Sequence, residues 1–144
     1  MQQLQHSAPQ RSSIQVVERF FDAWRAMDVP GVLELVSDDI TYHNGPFRPL
    51  RGKTKVARVF HGYCQAADSF EIEFHNIAER DGVVLTERTD RAVGPWLDMT
   101  FWVCGTFTVR DGKITFWRDY FDQTSIALQL IAGPFRRLAA HLAS

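Results

Sequence analysis

MTFWVCGTFTVRDGKITFWRDYFD (99–122) is the stretch that decides the fold. Met99, Phe101, Val103, Phe107 and Val109 alternate with Thr100, Trp102, Cys104, Thr106 and Thr108. A period of two is what a half-buried strand needs, because successive side chains point to opposite faces. Asp111-Gly112 then reads as a hairpin turn, since both residue types tolerate positive φ. Ile114–Asp122 is the returning strand. Upstream the pattern repeats. Phe70, Ile72 and Phe74 alternate within 70–80, and the register slips at Ile77 as at a bulge. Asp81-Gly82 is a second hairpin signal, Val83–Arg91 is the next strand, and Gly94-Pro95 breaks it. Four long strands in succession make a meander.

Outward from the meander the period changes to that of helices. Ser12 and Gln15 have capping-box spacing and open a run with Ile14, Val17, Phe20, Phe21 and Trp24, which predicts a helix over 13–27. Asp28 caps a short second helix with Pro30 in its first turn. A short strand is expected over Ile40–Asn44, and Gly45, Pro46 and Pro49 make a loop. Val56, Val59, Phe60 and Tyr63 mark a third helix over 53–66. From Thr124 the chain returns to helix, interrupted at Gly133-Pro134 and closing near Leu142, with Arg136 and Arg137 on a solvated face. The polar, Gln-rich residues 1–11 read as a disordered tail, and 12–144 as a single domain. The fold class is therefore α+β. Helices pack on one face of a strongly curved, mixed or antiparallel sheet, forming a cone with a deep pocket.

Composition excludes several functions. Sixteen Lys and Arg against 17 Asp and Glu leave no basic stripe for nucleic acid. Cys64 and Cys104 are too few for a disulfide framework and lack metal-ligand spacing, so they read as buried free thiols in a reducing compartment. No apolar run approaches the ~18–20 residues of a membrane span or forms a signal peptide, which points to the cytoplasm. His43, His61, His75 and His141 show no ligand spacing, and His43 alternates away from its neighbours Tyr42 and Asn44. Gly52-Lys53-Thr54 resembles the end of a phosphate loop, but Phe47 stands where that loop needs glycine. No metal and no cofactor are expected.

Polar pairs at i, i+2 locate the chemistry. They are Tyr42/Asn44, Arg88/Asp90 and Trp117/Asp119, and in a strand each pair shares a face. Thr115, Trp117, Asp119 and Phe121 share one face of the last strand; Ile114, Phe116, Arg118 and Tyr120 share the other. Val84, Thr86, Arg88 and Asp90 share a face of the strand over 83–91. Such residues could be surface ion pairs. They could also converge inside the cone as a guanidinium between two carboxylates, a cluster that is neutral once one carboxyl holds a proton. One carboxyl would then be an acid and the other a base.

The segments YHNGP (42–46), LTERTDR (85–91) and GKITFWRDYFD (112–122) resemble the limonene-1,2-epoxide hydrolase family. That resemblance implies the cone shared by NTF2-like, SnoaL-like and ketosteroid-isomerase-like proteins. It also implies cofactor-independent hydrolysis of an epoxide to a vicinal diol. Asp119 matches the family's base that activates water, Asp90 its acid, Arg88 the bridge between the two carboxylates, and Tyr42 and Asn44 its water-positioning pair. FWVCG (101–105) and the C-terminal tail look like the branch that takes bulky lipophilic epoxides.

Trp117, Phe121 and Trp102 are the candidate substrate-binding rings. Trp102 and Met99 could instead make a dimer contact. A homodimer is expected through a sheet face carrying either Ile114, Phe116 and Tyr120 or Met99, Phe101 and Val103. Two rival functions remain: an isomerase, cyclase or dehydratase of a polycyclic ketone on the same cone, and a non-enzymatic module for a hydrophobic ligand. The module has no reason to turn Arg88 and Asp90 inward.

Overall fold

Helix α1 (Ser13–Arg25) and short α2 (Val29–Glu34) lead into β1 (Val36–Asn44), β2 (Leu50–Arg51) and α3 (Lys53–Ala66). The meander follows as β3 (Ser69–Arg80), β4 (Val83–Val93), β5 (Asp98–Arg110) and β6 (Lys113–Phe121), and α4 (Gln123–Leu142) closes the chain. These elements come from a computed structural model that describes residues 11–143. The tail expected over 1–11 lies outside the described residues except for exposed Arg11. The strands form one curved, unclosed six-stranded sheet in the order β2-β1-β6-β5-β4-β3. All neighbours are antiparallel except β1 and β6, which run parallel. No helix among the described residues is long and apolar enough to cross a membrane.

Local chemistry explains the elements. Ser12 and Gln15 form the capping box of α1. Asp28 accepts from Gly31 N–H at the start of α2, with Pro30 in the first turn. Asp81-Gly82 and Asp111-Gly112 both take positive φ at both positions, the geometry of a tight two-residue hairpin. Phe20 and Phe21 of α1 sit edge-on against Phe107 and Trp117 of the sheet, and Phe60 of α3 completes this aromatic core.

Several expectations need correction. Helix α1 ends at Arg25, and Met27 is already left-handed (φ 55°). Strand β1 starts at Val36, earlier than Ile40, because Val36 pairs with Ile114 and a bulge precedes Thr41. In β3 the register shift lies between Phe74 and Asn76, just ahead of Ile77. A second shift, between Thr108 and Val109, turns Ile114 into the core, so Ile114 does not share the outer face of Phe116 and Tyr120. Met99, Phe101 and Val103 also face inward, with Val103 fully buried, so they offer no outer dimer face. Cys64 and Cys104 are free but only half-buried.

Helix α4 is not interrupted at Gly133-Pro134. A proline inside a helix removes one hydrogen bond. Anchors on both sides hold the helix to the sheet despite that loss. The Gln129 amide bonds both the N–H and the carbonyl of Thr100, and Arg137 donates twice to the Gly94 carbonyl at 3.1 and 2.8 Å. Arg137 is thus a half-buried anchor, and Arg136, though exposed, reaches the Asp98 carbonyl at 3.3 Å.

Candidate active site

Strand alternation builds the floor of the site. On β4 it turns Thr86, Arg88 and Asp90 to the concave side; on β6 it turns Trp117, Asp119 and Phe121 the same way. β5 runs between these two strands. Gly105 pairs with Thr86 on one side and with Asp119 on the other. A Cβ at Gly105 would lie 2.5 Å from Arg88 Nη1 and 2.8 Å from both Asp119 Oδ1 and Thr86 Oγ1. The missing side chain is therefore what lets the guanidinium cross β5 and reach Asp119.

Arg88 is 1% exposed, and each of its three guanidinium nitrogens donates a hydrogen bond. Its Nε donates to Asp90 Oδ1 and Oδ2 at 2.9 and 3.1 Å, its Nη1 to Thr86 Oγ1 at 3.1 Å, and its Nη2 to Asp119 Oδ2 at 2.9 Å. The Phe21 ring covers one face, its centroid 4.6 Å from the guanidinium carbon. Taking such a charge out of water costs several kcal/mol, on the order repaid only by good geometry with counter-charges. Burial alone would pull Arg88 below its ordinary pKa; Asp119 and Asp90 outweigh it and hold the group above that value.

The two carboxylates differ. Asp119 is buried and accepts on separate oxygens, from Arg88 on Oδ2 and from Trp117 Nε1 on Oδ1 at 2.9 Å. Asp90 shares a single Arg88 N–H between both oxygens and borders the cavity. Burial pushes the Asp90 carboxyl up to about 6; Arg88 opposes the shift and the charge of Asp119 adds to it.

β1 supplies the third wall. Its parallel register sets Tyr42 beside Trp117 and Asn44 beside Asp119, and Gly45 N–H donates to the Asp119 carbonyl at 3.1 Å. Gly45 has φ 52°, and a Cβ there would sit 2.8 Å from the Phe121 ring, so glycine lets that ring close over the loop. The Tyr42 ring packs on Trp117 with centroids 4.3 Å apart. Asn44 Nδ2 donates to the Tyr63 hydroxyl at 3.1 Å. Burial raises the pKa of Tyr42 well above its ordinary value and also raises that of Tyr63.

Above this floor lies a cavity of about 390 Å³, walled mainly by apolar side chains such as Phe70, Met99, Phe101 and Leu130. That size lies within the range of small-molecule sites. Tyr42, Asn44, Arg88, Asp90 and Asp119 all reach it, as do Trp117 and Phe121. Trp102 does not. The parity of β5 that sends Phe101 and Val103 inward sends Trp102 to the convex face, where it is 52% exposed and donates to Glu87 Oε1 at 3.1 Å. His43 likewise stays off the cavity wall. Thr86, Gly105 and Tyr63 complete the site without having been singled out by sequence. A glycine at an inward position of an otherwise alternating strand was the available signal for Gly105. Among the described residues, no group of three or more His, Cys, Asp or Glu side chains is placed to hold a metal ion.

A curved open sheet wrapped on helices, with an apolar cavity ending in buried charges, defines an NTF2-like cone. An NTF2-like protein of unknown function from Burkholderia pseudomallei has the same fold, with TM-score 0.74 over 82% of this chain and 96% of that one at 15% identity. Sequence narrows the class. The family model for the limonene-1,2-epoxide hydrolase catalytic domain matches residues 11–132. Epoxide hydrolase EphG of Mycobacterium tuberculosis is 39% identical over 117 residues, covering 81% of this chain and 78% of that protein. The solved structure of an M. tuberculosis LEH-like epoxide hydrolase superposes with TM-score 0.77 at 36% identity, covering 92% of this chain and 96% of that one. The chain belongs to the limonene-1,2-epoxide hydrolase family and is an epoxide hydrolase.

Proposed function

We propose that the chain opens a lipophilic epoxide to a vicinal diol by direct attack of water, with Asp119 as base, Asp90 as acid and Arg88 as the bridge. The observation that carries this reading is the guanidinium held between two unlike carboxyls at the foot of an apolar cavity. An epoxide is strained, but its alkoxide leaves poorly near neutral pH, so push and proton are needed together. Water forms the new C–O bond and gives its proton to Asp119. The ring C–O bond breaks as its oxygen takes the proton of Asp90. Tyr42 and Asn44 hold the water beside Asp119 on the side opposite the breaking bond. Turnover leaves the proton on the wrong carboxyl, and exchange with solvent resets the pair. The rings around the cavity, Trp117 and Phe121 among them, hold the hydrocarbon.

A nucleophilic carboxylate would need a second base to hydrolyse its ester, and no histidine is among the described residues lining the cavity, which favours direct attack by water. The test is one turnover in oxygen-18 water with enzyme in excess. Label is expected in the diol and in neither Asp119 nor Asp90. An unlabelled diol, with label later found in a carboxylate, would establish a covalent ester instead.

The same reading has two copies pairing across the convex sheet face, where Leu85, Trp102 and Tyr120 are each about half exposed.

A further inference from the structure

Tyr63 lies outside the acid, base, bridge and water-positioning set, yet a hydrogen bond from that set runs to it. Its ring, on α3, packs against Trp24 with centroids 5.8 Å apart, which fixes where the hydroxyl sits. Asn44 Nδ2 donates to this hydroxyl at 3.1 Å. The phenol oxygen therefore accepts from one of the two residues assigned to hold the water.

We propose that Tyr63 is a positioning residue that, by accepting from Asn44, turns the Asn44 Oδ1 toward the attacking water as a hydrogen-bond acceptor. The inference rests on the direct-water reading above. A side-chain amide carries its donor and its acceptor on opposite arms, so tying Nδ2 to Tyr63 decides where Oδ1 points. A water that attacks carbon must keep a lone pair for the new bond. It does so best when both of its hydrogens are held by acceptors. Asp119 takes the hydrogen that is transferred, and Asn44 Oδ1 takes the other. A residue donating to that water would instead draw on the electrons that form the bond. Burial raises the pKa of Tyr63, so it meets Asn44 as a neutral hydroxyl near pH 7.

The test compares Tyr63→Phe, Asn44→Ala and the double variant by kcat and KM on one epoxide, with Asp119→Asn alongside. Tyr63→Phe should lower kcat about tenfold, the scale of one lost hydrogen bond, and leave KM unchanged. The double variant should be no slower than Asn44→Ala, because Tyr63 acts through Asn44. Unchanged kcat in Tyr63→Phe, or effects that multiply in the double variant, would overturn the proposal. Should Tyr63→Phe fail to fold, 3-fluorotyrosine at 63 decides. It keeps the ring and hydroxyl but is a weaker acceptor and a stronger donor, so a fall in kcat supports the acceptor role and a rise overturns it. Near-normal turnover by Asp119→Asn would instead sink the reading on which the inference rests.

Discussion

Asp90 is the group whose chemistry can be read as a pH dependence, both of rate and of stability. Burial, with the charge of Asp119 adding to it against the pull of Arg88, raises its pKa from 3.8 to about 6. As the proposed acid, Asp90 must enter the reaction protonated, so the active fraction falls as pH rises through that value. About one enzyme in ten carries the proton at pH 7 and about one in a hundred at pH 8, so kcat/KM should drop about tenfold per pH unit on the alkaline side. Stability has the same cause and a definite sign. The folded state binds this proton more tightly than the unfolded chain, so the contribution of Asp90 is greatest below pH 4 and is lost as pH rises through about 6. From pH 4 to pH 7 that loss is about 2 kcal/mol, on the order set by the displaced pKa of a group still partly exposed. Asp90→Asn cannot titrate, so it should lack this part of the slope and be the more stable protein near pH 8, while losing activity. The assays are a pH–rate profile of wild type and urea melts of both proteins at pH 4, 5.5 and 7. A rate flat from pH 6 to pH 9, or parallel stability curves for the two proteins, would refute the reasoning.

Other substitutions test the cluster and its surroundings. Asp119→Asn, Asp90→Asn and Arg88→Ala should each remove nearly all turnover, and combining the two Asn changes should cost little more, because acid and base act as a unit. Tyr42→Phe should keep more activity than Asp119→Asn in the same assay. Gly105→Ala should destabilise the fold by about 1–3 kcal/mol in urea melts, the usual scale of overpacking, and lower kcat by moving Arg88 off Asp119. Light scattering at micromolar concentration should give twice the chain mass, and Trp102→Glu on the convex face should give the monomer; a wild-type monomer would count against pairing.

The strands and the charged cluster were legible because both depend on a period of two. Once Val83–Arg91 and Ile114–Asp122 are strands, Arg88, Asp90 and Asp119 must face the side that Val84 and Trp117 face. The same rule held the answer for Trp102: Met99 and Trp102 are three apart and cannot line one face of a strand, so one of the two had to be outside. Ile114 was misplaced for a different reason. The bulge between Thr108 and Val109 is a property of the β5–β6 register, and nothing in residues 113–116 announces it. The parallel pairing of β1 with β6 joins segments far apart in sequence, and neighbouring residues carry no signal of it. Tyr63 lay hidden for the converse reason. Its spacing marks a buried helix position, which is correct, and periodicity does not say where a buried hydroxyl finds its partners.

The proposed division of base and acid between the two carboxyls rests on how unevenly one guanidinium serves them. Arg88 has five N–H groups, and three of its nitrogens make the bonds described here. One of those bonds goes to Thr86, and Asp90 receives a single N–H divided between its two oxygens. Asp119 receives a full N–H from Arg88 and a second from Trp117, each on its own oxygen. Donors aimed at a carboxylate favour its ionised form, and poorly compensated burial favours the protonated one. Asp119 is thus the carboxyl better supplied with donors, and Asp90 the one that burial disposes to carry a proton. With that single proton, two carboxyls and one guanidinium sum to zero charge, which is what makes so deep a cluster tolerable. In the proposed reaction the proton moves between carboxyls without changing that sum: Asp119 gains one as Asp90 gives one up, and Arg88 faces one negative charge before the reaction and one after it.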